Sequence, residues 1–163
     1  TGMAGNTAKH GSAFIVHISM ALWSIYRRRT WRMPAWEATQ LALMAGIRAA
    51  VPGAVIGDIS AAVEDVATAG GYGIVRQYVG HGIGRAMHER PSVPNYGKAK
   101  TGELIKVGMC LAIEPMITLG TWKTKTLKDD WTVVTADGSL AAHFEHTIAI
   151  LDEGPRILTS LVA

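Results

Sequence analysis

The sequence predicts an α+β fold in which two helices pack on a mostly antiparallel sheet. Two observations carry that prediction. Two stretches of helical periodicity stand next to one another, and a series of β-branched runs bounded by glycines and turn residues comes after them.

The regular pattern begins at a break near residues 34–37. Residues 37–50 (EATQLALMAGIRAA) place Leu41, Met44, Ala45 and Ile47 at spacings that suit one helical face, and Val51, Pro52 and Gly53 end the run. The second helix is expected to start at Asp58 as its N-cap and to run through Ile59, Val63 and Val66 to a stop at Gly70 and Gly71. Strands are expected at residues 73–79, 109–117, 131–135, 142–151 and 156–159. Residues 91–108 read as a loop, residues 121–130 as a hairpin connection, and Ala136-Asp137-Gly138 as a tight turn.

Residues 1–36 differ in kind. They hold three of the five tryptophans, Trp23, Trp31 and Trp36, and the bases Lys9, Arg27, Arg28, Arg29 and Arg32 without one Asp or Glu. Their charge is therefore +5, and residues 37–163 carry −2. The basic balance belongs to that first segment, so the remainder reads as an ordinary enzyme domain and not as a nucleic-acid binder. The arginine run itself reads as a solvated basic tail. No apolar run reaches the ~20 residues of a membrane span, and residues 12–25 lack the cleavage pattern of a signal peptide. The single cysteine, Cys110, cannot form an intramolecular disulfide, which fits a cytoplasmic protein. A chain that opens on Thr1 is expected of a fragment, a processed chain or an incomplete gene product.

Three segments concentrate metal-ligand residues: His81 among glycines with Met87, His88 and Glu89 after it; Glu114 between Ile113 and Pro115; and His143, Glu145 and His146 around Phe144. A carboxylate beside Ile113 or Phe144 is costly to bury unless it is paired or bound to a cation. Imidazole with carboxylate suits zinc, cobalt, manganese or iron, and a carboxylate can bridge two ions. Each segment alone has a plainer explanation: a satisfied core histidine, glycines that shape a turn, or a strand carboxylate that faces water. Three such segments on three strands favour a metal.

The strings GHGIGRAMHERPSVPNYGK, GMCLAIEPMITLG and WTVVTADGSLAAHFEHTIAI resemble the C-terminal signature segments of type I methionine aminopeptidases. That resemblance implies part of a pita-bread fold over residues 37–163, two divalent ions (cobalt, manganese, iron or zinc), an attacking hydroxide, and removal of the initiator methionine from nascent chains. It implies metal ligation by His81, Glu114 and Glu145, with Glu145 bridging, and proton handling by Glu114. His88 would contact the substrate and stabilise the intermediate, while Met87 and Trp131 would line the methionine side-chain pocket. An aromatic residue is the more usual occupant where Met87 stands. The ribosome is the further partner that nascent-chain substrates bring. The aminopeptidase P and prolidase group shares the metal set and is the neighbouring assignment.

The chain also departs from that family. Two Asp ligands are expected on a hairpin ahead of the helix pair, and no Asp precedes Asp58. Metal affinity is expected to fall, and a protein that binds peptide or ribosome without cleaving is the competing expectation. His10 and His17 are read as incidental, because a separation of seven puts them on opposite faces of a strand. Residues 1–36 are read as disordered or as translated from a shifted frame. A half fold is expected to expose a sheet edge, which invites pairing with a second copy.

Overall fold

The computed structural model describes residues 33–160; residues 1–32, with His10, His17 and the run Arg27 to Arg29, lie outside the described residues, as do 161–163. Helix α1, Ala35–Ala49, starts two residues earlier than the periodicity suggests. Pro34 precedes it, and the Pro34 carbonyl accepts from the amides of Glu37 and Ala38. Glu37 in the first turn and Arg48 in the last complement the helix dipole. Its buried stripe is Ala35, Ala38, Thr39, Ala42, Leu43, Gly46 and Ile47, so Leu41, expected on the inner face, is turned outward. The reason is close approach. A Cβ on Gly46 would stand 2.8 Å from Val63 Cγ2 and 3.3 Å from Ile59 Cγ2, so small residues are selected where α1 meets the second helix.

That second helix, α2, is Ile56–Ala69. Asp58 therefore sits in its first turn and is not the N-cap. Its carboxylate accepts from the amide of Val55 at 3.0 Å and from that of Lys100 at 2.8 Å, so it caps backward and also ties down a distant loop. These two amide donors hold the Asp58 carboxyl below the ordinary carboxylate value. The helix ends at Gly70, followed by Gly71 at φ +70°.

Among the described residues ten short strands come next: β1 Gly73–Ile74, β2 Gly80–Gly82, β3 Glu89–Val93, β4 Cys110–Ile113, β5 Met116–Thr118, β6 Thr124–Thr126, β7 Val133–Thr135, β8 Ala141–His143, β9 His146–Leu151 and β10 Gly154–Ile157. Every pairing among these strands is antiparallel. The sheets have the orders β10-β9-β4-β2-β3, β1-β5-β8 and β6-β7. Part of the expected loop 91–108 is thus strand β3, and the connection 121–130 contains β6.

The expected strands 109–117 and 142–151 are each split in two, and the splits face one another. Cys110 to Ile113 pair with Ala149 to His146 in the five-stranded sheet, and Met116 to Thr118 pair with His143 to Ala141 in the three-stranded sheet. The same register holds on both sides. Between them lie Glu114-Pro115 and Phe144-Glu145, where proline has no amide to donate and one long bond, from the Phe144 amide to the Pro115 carbonyl at 3.4 Å, spans the gap. Beneath this junction the core joins Leu43, Ile47 and Ile59 of the helices to Val93, Leu111, Ile113, Ile148 and Ile150 of the larger sheet. Each such buried side chain contributes about 1.5–3 kcal/mol. Thr39 of α1 reaches the Ala142 carbonyl at 3.5 Å, which holds β8 against the helix.

Candidate metal centre

His81 is the middle residue of β2, and the glycines beside it are there for closeness. A Cβ on Gly80 would collide with the Ala112 carbonyl, and one on Gly82 with the Arg90 carbonyl. Neither residue has a left-handed φ, so they are small strand residues and not turn formers. The register then decides what His81 meets. His81 pairs with Ala112, and Ala112 pairs with Thr147. Side chains on a strand alternate between faces, so two residues along this pair Glu114 and Glu145 fall on the face of His81.

One ligand atom from each of His81, Glu114 and Glu145 lies within 4.8 Å of the other two. His81 Nε2 stands 3.6 Å from Glu114 Oε1, and both side chains are only 14% exposed; Glu145 is on the exposed side. The Nδ1 of His81 donates to the Gly82 carbonyl at 2.9 Å. A ligating histidine is commonly held in this way by its other ring nitrogen, which leaves Nε2 as the free lone pair. The gap of 3.6 Å exceeds a hydrogen bond of about 2.7–3.2 Å. It is roughly the spacing of two atoms that share one transition-metal cation at about 2.1 Å each. The donor set and its spacing therefore fit a divalent ion of that type.

His88 is brought to the same place. Its ring centroid lies 4.2 Å from that of His81 at a 52° tilt. The loop before it is folded by Glu89, whose carboxylate accepts from the Ala86 amide at 2.7 Å. His81 and His88 together line an open cleft of about 990 Å³ with Ser60, Pro94 and Tyr96. Met87 and Trp131 are not among its lining residues; they are 71% and 87% exposed.

Two neighbours of Glu114 add to this: His143, a candidate given no role by the sequence, and Asn95, which the sequence does not single out. His143 Nε2 stands 3.6 Å from Glu114 Oε2, on the side away from His81, with its side chain 46% exposed. A signal for it exists, since His143 and Glu145 are two apart in an extended segment and share a face. Asn95 is buried and donates from Nδ2 to the Glu114 carbonyl at 3.1 Å. No local pattern foretells that bond, which spans nineteen residues. His146 bonds Thr159 Oγ1 through Nδ1 at 2.8 Å.

The sequence profile of metallopeptidase family M24 matches residues 23–152. The chain belongs to this family. Among M24 relatives, the methionine aminopeptidase of Clostridium acetobutylicum is 54% identical over 123 residues, which are 76% of this chain and 49% of that protein. The crystal structure of methionine aminopeptidase from Thermotoga maritima superposes with a TM-score of 0.75 at 45% identity, covering 76% of this chain and 50% of that one. The prolidase from Pyrococcus horikoshii OT3 shares the fold, with a TM-score of 0.57 at 23% identity. The M24 chain thus spans about half the length of the curated relatives it matches. None of the helices among the described residues is long and apolar enough to cross a membrane.

Proposed function

We propose that this chain carries the metal-binding half of a cytoplasmic methionine aminopeptidase, acting on the N-terminal methionine of nascent proteins as they leave the ribosome. The observation that supports it most is the convergence of His81, Glu114 and Glu145 at ligand spacing, with His81 oriented through Nδ1. The 54% identity to a methionine aminopeptidase, against 23% to a prolidase, favours methionine over proline specificity.

In this reading His81, Glu114 and Glu145 hold a divalent ion, with cobalt, manganese, iron and zinc all suited to the donors. When bound, it supplies Lewis-acid polarisation and a more acidic water. The chain's own groups do the rest. Glu114 takes the proton of the attacking water and passes it to the leaving amine. His88, exposed at the cleft and in contact with the His81 ring, donates a hydrogen bond to the carbonyl oxygen of the scissile bond. Met87 and Trp131 are assigned to the methionine side chain by the family resemblance; their exposed apolar surface suits that contact, although neither lines the cleft of His81 and His88. The lack of any Asp before Asp58 leaves the ion with fewer carboxylates than the family's full set, which supports weak metal binding.

The test is release of methionine from a Met-Ala-Ser peptide with added cobalt or manganese, with Glu145→Ala measured in parallel. Metal-dependent turnover that disappears in the variant is the expected result. Turnover that survives the substitution, or none with any metal, counts against the enzyme; peptide binding without turnover would identify a non-cleaving member of the fold.

A further inference from the structure

Glu114 lies between β4 and β5, where the chain leaves one sheet for the other, and no backbone amide among the described bonds takes up its main-chain carbonyl. A side chain takes it up instead. Asn95, two residues past the end of β3, donates from Nδ2 to that carbonyl at 3.1 Å. The position is a costly one for an amide, because Asn95 is 1% exposed and its Oδ1 has no hydrogen-bond partner among the described residues. A buried acceptor left without a donor costs about 1–3 kcal/mol, and leucine would fill a similar volume without that cost. What asparagine adds there is the bond to Glu114. The residue is also gripped from both sides. Ser60 Oγ of α2 donates to the Pro94 carbonyl at 2.6 Å, and the Arg76 guanidinium lies 5.0 Å from the Tyr96 ring centroid and 5.1 Å from that of Trp122.

We propose that Asn95 is a positioning residue of the metal centre: it supplies the rung that the backbone lacks at Glu114 and so fixes the main chain from which the Glu114 carboxylate is aimed at the ion. The inference rests on the reading in which His81, Glu114 and Glu145 hold a divalent ion. The bond matters at this place because the next residue, Pro115, has no amide to donate, and the bond from Phe144 to Pro115 is long at 3.4 Å. Little else holds the Glu114–Pro115 peptide plane. Rotation of that plane would carry the carboxylate away from its place 3.6 Å from His81 Nε2. Loss of a neighbour that orients a ligand weakens metal binding by about 10–100-fold.

The experiment is titration of the full 163-residue chain with Co²⁺, read by visible absorption, which reports both affinity and coordination geometry. Variants are Asn95→Asp, which keeps the shape and puts an acceptor where the donor stood, and Asn95→Leu. The control is Val63→Ala, because Val63 is fully buried against Gly46 and does not touch Glu114. Far-UV circular dichroism gives the melting temperature of each metal-free protein. Both Asn95 variants should bind Co²⁺ at least ~10-fold more weakly and alter the absorption band at saturation. Val63→Ala should lower the melting temperature and leave affinity and band as in wild type. Wild-type affinity and band in the folded Asn95 variants overturn the positioning role and leave the ion in place. An equal loss of affinity in Val63→Ala assigns the effect to stability and overturns it too. A wild-type chain that binds no Co²⁺ overturns the ion and the proposal with it. Should neither Asn95 variant fold, the wild-type protein decides: its Asn95 side-chain NH₂ resonances should move when Zn²⁺ is added, and resonances that stay in place overturn the proposal.

Discussion

At the scale of single residues, carboxylates do two different jobs in this chain, and the difference is what surrounds them. Asp137 is wrapped by donors: its carboxylate accepts from the Thr121 amide at 2.7 Å and the Ser139 amide at 3.0 Å. The Thr121 amide, with the Ser139 hydroxyl and amide, lowers its pKa from the ordinary 3.8 to about 2. The unfolded chain binds this proton more readily than the folded one, so the bonds favour folding fully above about pH 4 and lose that effect as pH falls through about 2. Urea midpoints measured from pH 5 to pH 2 should therefore decline less for Asp137→Asn than for wild type. Glu114 has the opposite setting. It faces two imidazoles at more than hydrogen-bond distance and has no amide on its carboxylate among the described bonds. Asp137 serves the turn it closes, and the setting of Glu114 suits the cation proposed above. The flanking apolar residues make Glu114 and Glu145 legible in the sequence, because a carboxylate beside Ile113 or Phe144 needs a reason. Asn95 is less so, because it acts across nineteen residues, and the nearness of His143 to Glu114 follows only from the strand register.

At the scale of elements, the helix pair is readable in the sequence and its contact face is not. Periodicity identifies both helices, yet it puts Leu41 inward, where the structure buries Ala42 and Gly46 instead. Apolar size is a poor guide where two helices nearly touch. Gly46→Val should accordingly destabilise the fold by about 1–3 kcal/mol in urea unfolding, since the added methyl groups enter space held by Val63 and Ile59. A Gly46 change that stabilised the protein would mean the helices separate without cost. The strands show a related limit. Runs of β-branched residues mark 109–117 and 142–151 as extended, but no propensity announces that both change sheets halfway. Pro115 is the one local hint, since it cannot donate to a ladder.

At the scale of the whole molecule, the chain divides by charge and by coverage. Residues 1–36 carry +5 and residues 37–163 carry −2, and the chain spans about half the length of its M24 relatives. The stability of the folded part should depend on metal. An ion that binds only the folded state at about 100 times its dissociation constant adds about 2.7 kcal/mol, so Mn²⁺ or Co²⁺ should raise Tm by roughly 5–10 °C in differential scanning calorimetry. The shift should vanish in His81→Ala, and a shift that persists there would place the ion elsewhere. The junction between the sheets has a consequence for motion as well. Two chain segments cross it in unbroken register, yet among the backbone bonds of the described residues only the long Phe144 to Pro115 bond joins them there, and the acidic pair sits in that gap. In the proposed reading, a cation held by Glu114 and Glu145 would stand in for the missing rungs and clasp the two sheets together there. Amides on either side of the gap, those of Met116, His143 and His146, should exchange with deuterium faster without metal and slow when it is added, while the amide of Ile148 deep in the sheet should not change.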